Sequence, residues 1–255
     1  MCGSLFYVGN TSTVPWEQNK VAKGNLQDWH SFRNRATVPA QGWIVRMEEN
    51  PVPSEKIKMR YMAKSRLKSI GAAEKKIAAA TMAQTVSRLD SYVNTKLILG
   101  FLSMPDEIDT ADLIEKALAD GKRVAVPRIE GDDIAFIELD AGWKSWPLDR
   151  WNIPEPPASL RALSPSAILA EPCLALIPGL AFDAKNMRLG RGKGFYDRFL
   201  AKIETEKRKY WGQGSNLSIN SRFSFFTCGI GYACQRFESI PADSHDKHLD
   251  AIILV

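Results

Sequence analysis

The chain has 255 residues, of which 45% are hydrophobic and 25% charged, and its formal net charge is +5. That length allows one sizeable core and excludes two large domains, so we expect one domain with appendages. No run approaches the roughly 18 consecutive apolar residues that span a bilayer, and no basic segment followed by an apolar one stands at the N-terminus, so we expect neither a membrane span nor a secretory signal. The positive charge indicates an anionic partner without saying which.

The first 53 residues differ from the rest of the chain. They are rich in Gly, Ser, Thr, Asn and Pro, contain scattered tryptophans, and show no sustained period. The polar, proline-bearing run over 48–53 is typical of a linker. We therefore predict an N-terminal extension or linker over 1–53, with 1–46 an extension or a misassigned start, followed by one domain over 54–255.

The four cysteines of the chain form no CxxC pair. This usage favours reduced thiols and a cytosolic protein over a disulfide framework or a zinc knuckle. Basic residues outnumber acids within 1–46, but no amphipathic basic helix is evident there, so import into an organelle stays open beside a cytosolic location.

The pattern becomes helical after Ser54, a residue type that caps helices. Gly71 interrupts the helical pattern before a second helical run that extends through Leu89. The first helix carries a series of basic side chains: Lys56, Lys58, Arg60, Lys64, Arg66 and Lys68. Such a charge run is usually a solvated face. A glycine-rich loop later in the chain, described below, keeps a role in binding phosphate open for this helix.

The next segments alternate between strand and helix patterns. The apolar run 97–102 predicts a buried strand, followed by a loop, a helix capped by Asp109 or Thr110 and ended by Gly121, and a strand over 123–126. Further strands are predicted over 134–139, 174–177, 229–233 and 251–255. The alternation predicts a mainly parallel sheet with helices on both faces. Ligands bind beyond the carboxyl ends of such strands, where Glu107 and the loop after Ile177 lie.

The most informative segment is RLGRGKGFYDRFL, residues 188–200. Its alternate glycines let backbone N–H groups approach an oxygen-rich ligand, and Arg188, Arg191 and Lys193 add cationic donors, which predicts a polyphosphate cradle. The spacing fits neither a Walker A loop nor a dinucleotide motif. A helix beginning near Phe195 would direct its positive end at the phosphates, and Asp197 on its first turn could hold Mg²⁺. A glycine-rich turn with solvated cations is the alternative.

This segment, preceded by LIPGLAFD, resembles the signature loop of 5-formyltetrahydrofolate cyclo-ligases, also called methenyltetrahydrofolate synthetases. The resemblance extends from about Lys56 to the C-terminus and includes FLSMPDEIDT, KRVAVPRI, WNIPEP and IPADSHDKHLD in the family's order. It implies a three-layer α/β/α fold, related to sugar-phosphate isomerases and CoA transferases, in a monomeric enzyme. The implied reaction closes 5-formyltetrahydrofolate, or its polyglutamates, into 5,10-methenyltetrahydrofolate with ATP and Mg²⁺, through a phosphorylated formyl group.

The resemblance also implies residue roles, carried over by position. ATP would be contacted by Lys56, Arg60, Arg188, Leu189, Gly190, Arg191, Gly192, Lys193, Gly194, Phe195 and Tyr196. The folate would be contacted by Leu102 and Glu107, with Glu107 accepting from pterin N–H groups, and by Arg191, Gly192, Lys193, Gly194 and Phe195. Lys193, Arg191 and Tyr196 are the predicted catalytic residues, and Asp197 and Asp246 the predicted magnesium ligands.

Four further features of the sequence complete the analysis. Trp151 offers a flat face on which a pterin or aminobenzoyl ring could stack, although packing in a core or loop is an equally good interpretation. His245 and His248 lack a third soft ligand nearby and make a poor zinc site. The segment Lys202–Phe226 is longer and more polar than the family's usual connection, which predicts a surface insertion, and Phe195 stands where many members carry Tyr.

Two other function classes stay open at this stage. A non-catalytic relative could keep the fold and bind RNA or another protein, but it would be expected to lose Lys193, Asp197 or Glu107, and all three are present. A different ATP-using ligase or a sugar-phosphate isomerase could use the same scaffold, since a fold does not determine a function. We expect 5-formyltetrahydrofolate and ATP as partners, and neither nucleic acid nor a membrane.

Overall fold

A six-stranded sheet organises the part of the chain that the structure, a computed structural model, describes: residues 54–211 and 225–255. Its strands are β1 Leu97–Leu99, β2 Arg123–Glu130, β3 Asp133–Glu138, β4 Cys173–Ile177, β7 Phe225–Gly231 and β8 Ala251–Leu254. The order is β3-β2-β1-β4-β7-β8, and only the pairing of β2 with β3 is antiparallel. The predicted mainly parallel sheet is confirmed. A separate hairpin pairs β5, Ala181–Phe182, with β6, Arg188–Leu189.

Six α-helices accompany these strands in the described part of the chain. They are α1 Glu55–Lys68, α2 Ala72–Val86, α3 Asp90–Val93, α4 Ala111–Ala119, α5 Pro165–Leu169 and α6 Phe195–Trp211. The predicted βαβ unit is present, because β1, α4 and β2 follow one another and Leu97 pairs in parallel with Arg123. None of the described helices is long and apolar enough to cross a membrane.

The helices lie on both faces of the sheet. Successive side chains of a strand point to opposite faces, so a strand that is buried throughout needs helices on both sides. Ile98 of β1 belongs to a core that includes Leu67 of α1 and Met82 of α2, together with Ile114 of α4. Leu97 and Leu99 belong to a second core, formed with Ile168 of α5 and with Phe199, Leu200 and Ile203 of α6. The three-layer α/β/α arrangement is therefore confirmed.

Several predicted boundaries differ from the structure. The second helix ends at Val86, three residues before the predicted Leu89, which instead precedes the short helix α3. The strand predicted over 229–233 lies at 225–231, because its apolar N-terminal half continues the pairing with β4. Ser54 and Thr110 stand at N-cap positions without a side-chain cap bond, whereas Asp109 Oδ1 accepts from Ala111 N at 2.9 Å.

Part of the segment 202–226, which was predicted to be a surface insertion, lies in regular secondary structure. Residues 202–211 continue helix α6, and Phe225 and Phe226 belong to β7. The rest of this segment, and the predicted extension over 1–53, lie outside the described residues.

One close approach in the core makes a testable prediction about stability. A Cβ atom added at Gly229 of β7 would lie 2.7 Å from the Phe182 ring and 2.8 Å from Leu249 Cδ1. Gly229→Ala should lower the free energy of unfolding by about 1–3 kcal/mol through overpacking, measured by denaturant titration. Gly100→Ala is the matched control, because its Cβ would meet nothing closer than 3.9 Å. Equal losses for the two variants would contradict the prediction.

Candidate active site

Leu102, Glu107 and the glycine loop over 190–194 lie in segments that follow the carboxyl ends of neighbouring parallel strands, whereas Lys56 and Arg60 lie in α1. Strand β1 leads into the loop 100–110, β4 leads into the β5–β6 hairpin, and β7 leads to Tyr232. The carboxyl ends of parallel strands lie at one edge of the sheet, so these segments meet there. Leu102 in the first of them is half-buried against the core that contains Ile98.

The glycine loop joins β6 to α6 and has the backbone that its sequence predicts. Gly192 and Gly194 have positive φ angles of 104° and 68°, which residues with a Cβ rarely adopt. Helix α1 contacts this loop, because Arg60 Nε donates to the carbonyl of Gly190 over 3.0 Å. The prediction of a sharp turn ahead of a helix beginning at Phe195 is confirmed.

Arg188 is the buried cation beneath this loop, with only 4% of its side chain exposed. Its Nη2 donates to Asp197 Oδ1 at 2.8 Å, and its Nη1 donates to the carbonyl of Pro178 at 3.3 Å. Its Nε is buried and has no hydrogen-bond partner among the described residues. A buried donor without a partner costs free energy, and an anionic ligand oxygen would satisfy it.

Arg191 connects the glycine loop to the loop after β1. Its Nη2 lies 2.6 Å from Asp106 Oδ1 and 3.3 Å from Glu107 Oε1. The predicted nucleotide-binding loop and the predicted folate-binding carboxylate are therefore in direct contact. Asp106, which the sequence analysis did not select, is the closer partner of Arg191.

Two hydrogen bonds to Met104, one from the backbone and one to the side chain, hold Glu107 in its loop. Its Oε2 accepts from Met104 N at 3.0 Å, and its backbone N–H donates to the Met104 carbonyl at 2.9 Å. Burial raises the pKa of Glu107 above the ordinary glutamate value, although the Met104 N–H and Arg191 both favour the charged form. Burial, aided by the charge of Glu107, also raises the pKa of the Tyr196 hydroxyl.

Lys56 of α1 contacts carboxylates of the segment before β8. Its Nζ lies 2.5 Å from Asp246 Oδ2 and 2.6 Å from Asp243 Oδ2. Although partial burial opposes ionisation, the Asp243 N–H and the Lys56 ammonium hold the pKa of Asp246 below its usual value. The residue predicted to contact ATP is therefore paired with a residue predicted to bind magnesium.

The two predicted magnesium ligands, Asp197 and Asp246, each use one carboxylate oxygen in an ion pair, with Arg188 and Lys56 respectively. In the described part of the chain, no three or more His, Cys, Asp or Glu residues form a group that could hold a metal ion. Two hard carboxylate ligands without further protein donors fit Mg²⁺, which usually keeps several waters and binds substrate phosphates.

Other predicted residues are more isolated. Lys193 is exposed and makes no hydrogen bond or ion pair with residues 54–211 or 225–255. Trp151 is 47% exposed, and its ring lies 5.2 Å from the Arg150 guanidinium rather than against a residue of the glycine loop. His248 Nδ1 lies 3.0 Å from the Lys185 carbonyl.

The remaining residues of this segment are divided between the two cores, with Leu189 in the core that contains Ile98 and the aromatic residues against the second core. Leu189 is buried in β6, and Phe195 and Tyr196 pack against the core that contains Phe199. The Tyr196 ring centroid lies 5.5 Å from the Arg188 guanidinium carbon. This arrangement places the aromatic start of α6 beside the buried cation.

The model of the 5-formyltetrahydrofolate cyclo-ligase family matches residues 52–255. A probable 5-formyltetrahydrofolate cyclo-ligase of Schizosaccharomyces pombe is 30% identical over 68% of this chain and 81% of its own. The 5-formyltetrahydrofolate cyclo-ligase of Mus musculus is 29% identical over 79% of this chain and 94% of its own.

Solved structures agree in fold. A 5,10-methenyltetrahydrofolate synthetase from Mycoplasma pneumoniae aligns with a TM-score of 0.55 at 23% identity, covering 78% of this chain and 98% of that one. The Aquifex aeolicus 5,10-methenyltetrahydrofolate synthetase aligns with a TM-score of 0.59 at 22% identity, covering 78% and 89% respectively.

The pair of Arg188 and Asp197 makes a second stability prediction. Asp197→Ala should lower the free energy of unfolding by about 3 kcal/mol, because it leaves a buried guanidinium without its counter-charge. Asp133→Ala is the matched control, since Asp133 pairs with Arg198 and Lys202 at the surface, where solvent screens the interaction. Denaturant titration of both variants should show the larger loss for Asp197→Ala, and the reverse order would contradict it.

Proposed function

Since the chain belongs to the 5-formyltetrahydrofolate cyclo-ligase family, we propose that it uses ATP and Mg²⁺ to close 5-formyltetrahydrofolate into 5,10-methenyltetrahydrofolate, releasing ADP and phosphate. The observation that carries this proposal is the contact of Arg191 with Glu107 at 3.3 Å. A single guanidinium joins the loop suited to polyphosphate and the carboxylate suited to a pterin. The terminal phosphate and the formyl group would thus be bound next to each other.

The nucleotide half of the site would be built from the glycine loop and the cations around it. The orphan Nε of Arg188 supports an anionic ligand at this place. The N-terminus of α6 follows the loop directly and would add its partial positive charge. Lys193, exposed at the middle of the loop, is the side chain that we expect to contact the terminal phosphate.

Magnesium would be held by Asp197 and Asp246, with waters and phosphate oxygens completing its coordination. When bound, the ion would neutralise charge on the phosphates. The oxygen atoms of these two residues that are not engaged in ion pairs are available for it.

The folate half would depend on Glu107. As a carboxylate, it can accept hydrogen bonds from pterin N–H groups and so orient the ring that carries the formyl group. Leu102 would contact the ring, and Trp151 would stack on the pterin or aminobenzoyl group if the segment around it lies against the bound folate.

The reaction itself needs alignment and charge neutralisation more than covalent catalysis. The formyl oxygen attacks the terminal phosphorus and the bond to ADP breaks. The folate N10 then attacks the phosphorylated formyl carbon and releases its proton to solvent, and the bond from that carbon to the phosphate oxygen breaks as the ring closes. Arg191 and Lys193 would neutralise the phosphoryl oxygens in the first step, with Tyr196 beside them.

No protein nucleophile is required, and the described cysteines are unsuited to that role. Burial raises the pKa of Cys228 to about 12, so its thiolate is scarcely populated at neutral pH.

We further propose that the enzyme acts as a cytosolic monomer and accepts folate polyglutamates. A module that binds RNA or protein is the alternative function.

One assay separates these functions. Purified chain is mixed with 5-formyltetrahydrofolate and Mg-ATP, and the absorbance of the methenyl product is followed. Product formation that requires both ATP and Mg²⁺ supports the proposed reaction. Absence of product with a folded chain contradicts it and favours a binding function.

The exposed cation of the glycine loop gives the first prediction on activity. Lys193→Ala should lower kcat about 10²–10³-fold, because a charge contact made in the transition state is lost. Lys116→Ala is the control, since Lys116 pairs with Asp120 at the end of α4. Steady-state kinetics should show near-normal turnover for the control, and normal turnover in Lys193→Ala would refute the catalytic role.

The raised pKa of Glu107 gives a prediction on pH dependence. The carboxylate form accepts from the pterin, so kcat/KM for the folate should fall as pH decreases through this raised pKa, at a higher pH than an ordinary glutamate would give. Glu107→Gln should raise the folate KM more than the ATP KM and remove the fall in kcat/KM at low pH, which is the acid limb of the pH profile. Glu115→Gln, at an exposed ion pair with Lys144, should keep it. An unchanged limb in Glu107→Gln would assign it to another group.

A further inference from the structure

We propose that Tyr232, fixed in place by Gln235, is a positioning residue that holds the Glu107 loop in its folate-binding geometry. This inference rests on the proposed role of Glu107. Neither Tyr232 nor Gln235 was selected from the sequence, because both follow β7, far from the glycine loop and from Glu107 along the chain.

The first step is the contact between Tyr232 and Glu107. The Tyr232 hydroxyl donates to the backbone carbonyl of Glu107 over 3.0 Å, across a separation of 125 positions. Only 3% of Tyr232 is exposed, so its ring is fixed by packing. Burial raises the pKa of Tyr232 to about 12, so the hydroxyl keeps its proton and remains a donor throughout the neutral range.

The second step is the anchoring of Tyr232 by Gln235, a buried polar residue with 3% exposure. Gln235 Oε1 accepts from the Tyr232 N–H at 2.7 Å, and Gln235 Nε2 donates to the Gly179 carbonyl at 2.6 Å. A Cβ on Gly231 would overlap the Gln235 amide oxygen, so the absence of a side chain at Gly231 makes room for this amide.

These bonds connect the two halves of the site. Gly179 lies in the turn between β4 and the hairpin that carries Arg188, on the nucleotide side, and Glu107 lies on the folate side. Gln235 and Tyr232 therefore link the turn before the phosphate loop to the carbonyl of the residue that would bind the pterin. The bond from Tyr232 fixes the backbone of Glu107 and not its side chain. The Glu107 carboxylate can therefore give up its contact with Arg191 and accept from a ligand while the loop stays in place.

A second buried tyrosine, whose hydrogen bond lies away from the site, serves as the control for Tyr232. Tyr92 provides the comparison, because its buried hydroxyl donates to Asp120 Oδ2 at 2.7 Å, at the end of α4. Asp120 lies just before β2, at the opposite edge of the sheet from the carboxyl ends of the strands. The Tyr232 hydroxyl thus makes its hydrogen bond at the site, and the Tyr92 hydroxyl makes its bond at the other edge of the sheet.

The test is Tyr232→Phe, which removes only the hydroxyl. The folate KM should rise about five-fold, the value expected for the loss of one neutral hydrogen bond, while the ATP KM should change less than two-fold. In a Glu107→Gln background, Tyr232→Phe should change the folate KM less than two-fold, because both substitutions act through the same contact. Equal effects on the two substrates, or a full effect in the Glu107→Gln background, would overturn the proposal.

Hydrogen exchange gives a readout that needs no turnover. In the chain without substrates, Tyr232→Phe should speed exchange of the backbone amides of residues 103, 104 and 106–108, whereas Tyr92→Phe should leave them unchanged. Unchanged exchange in Tyr232→Phe would refute the positioning role even if the enzyme is active. Faster exchange in a chain that forms no methenyl product would support the positioning contact and reject the proposed reaction instead.

Discussion

The burial of the Arg188 guanidinium is the constraint on which the shape of the glycine loop depends. A cation with 4% of its side chain exposed requires a counter-charge nearby, and Asp197 supplies it from the first turn of α6. The pair ties the β5–β6 hairpin to α6, so the glycine loop between them has both ends fixed. Within this span, Gly192 and Gly194 adopt the positive φ angles that give the loop its turn.

The sheet and its layers could be predicted from the sequence because their signals are local. Short apolar runs bounded by turn residues indicate buried strands, and Leu97 to Leu99 is one of them. The sequence of β3 indicates a strand but does not indicate that it pairs antiparallel with β2. The two-residue strands β5 and β6 are too short to show a strand pattern. The hairpin owes its geometry to Asp183, whose Oδ1 accepts from the N–H groups of Lys185 and Met187.

The site was predictable where one segment contains several of its residues, as the glycine loop does. Its other contacts join residues far apart in the chain, and pattern reading has no access to them. Asp106 beside Arg191, Asp243 beside Lys56 and Tyr232 beside Glu107 are of this kind. The prediction that Lys56 and Asp246 serve the same site is compatible with their pairing, but their mutual charge neutralisation was not foreseen.

The ion pair of Lys56 with Asp246 spans 190 positions of the chain. A polypeptide emerges from the ribosome in order, so the carboxylate becomes available long after the lysine has been made. Contacts of such separation form late and slowly, because chain entropy opposes them until the intervening structure has assembled. A nascent chain can therefore fold much of its central sheet before Lys56 meets Asp246, so the proposed nucleotide site would be complete only in the finished product of translation.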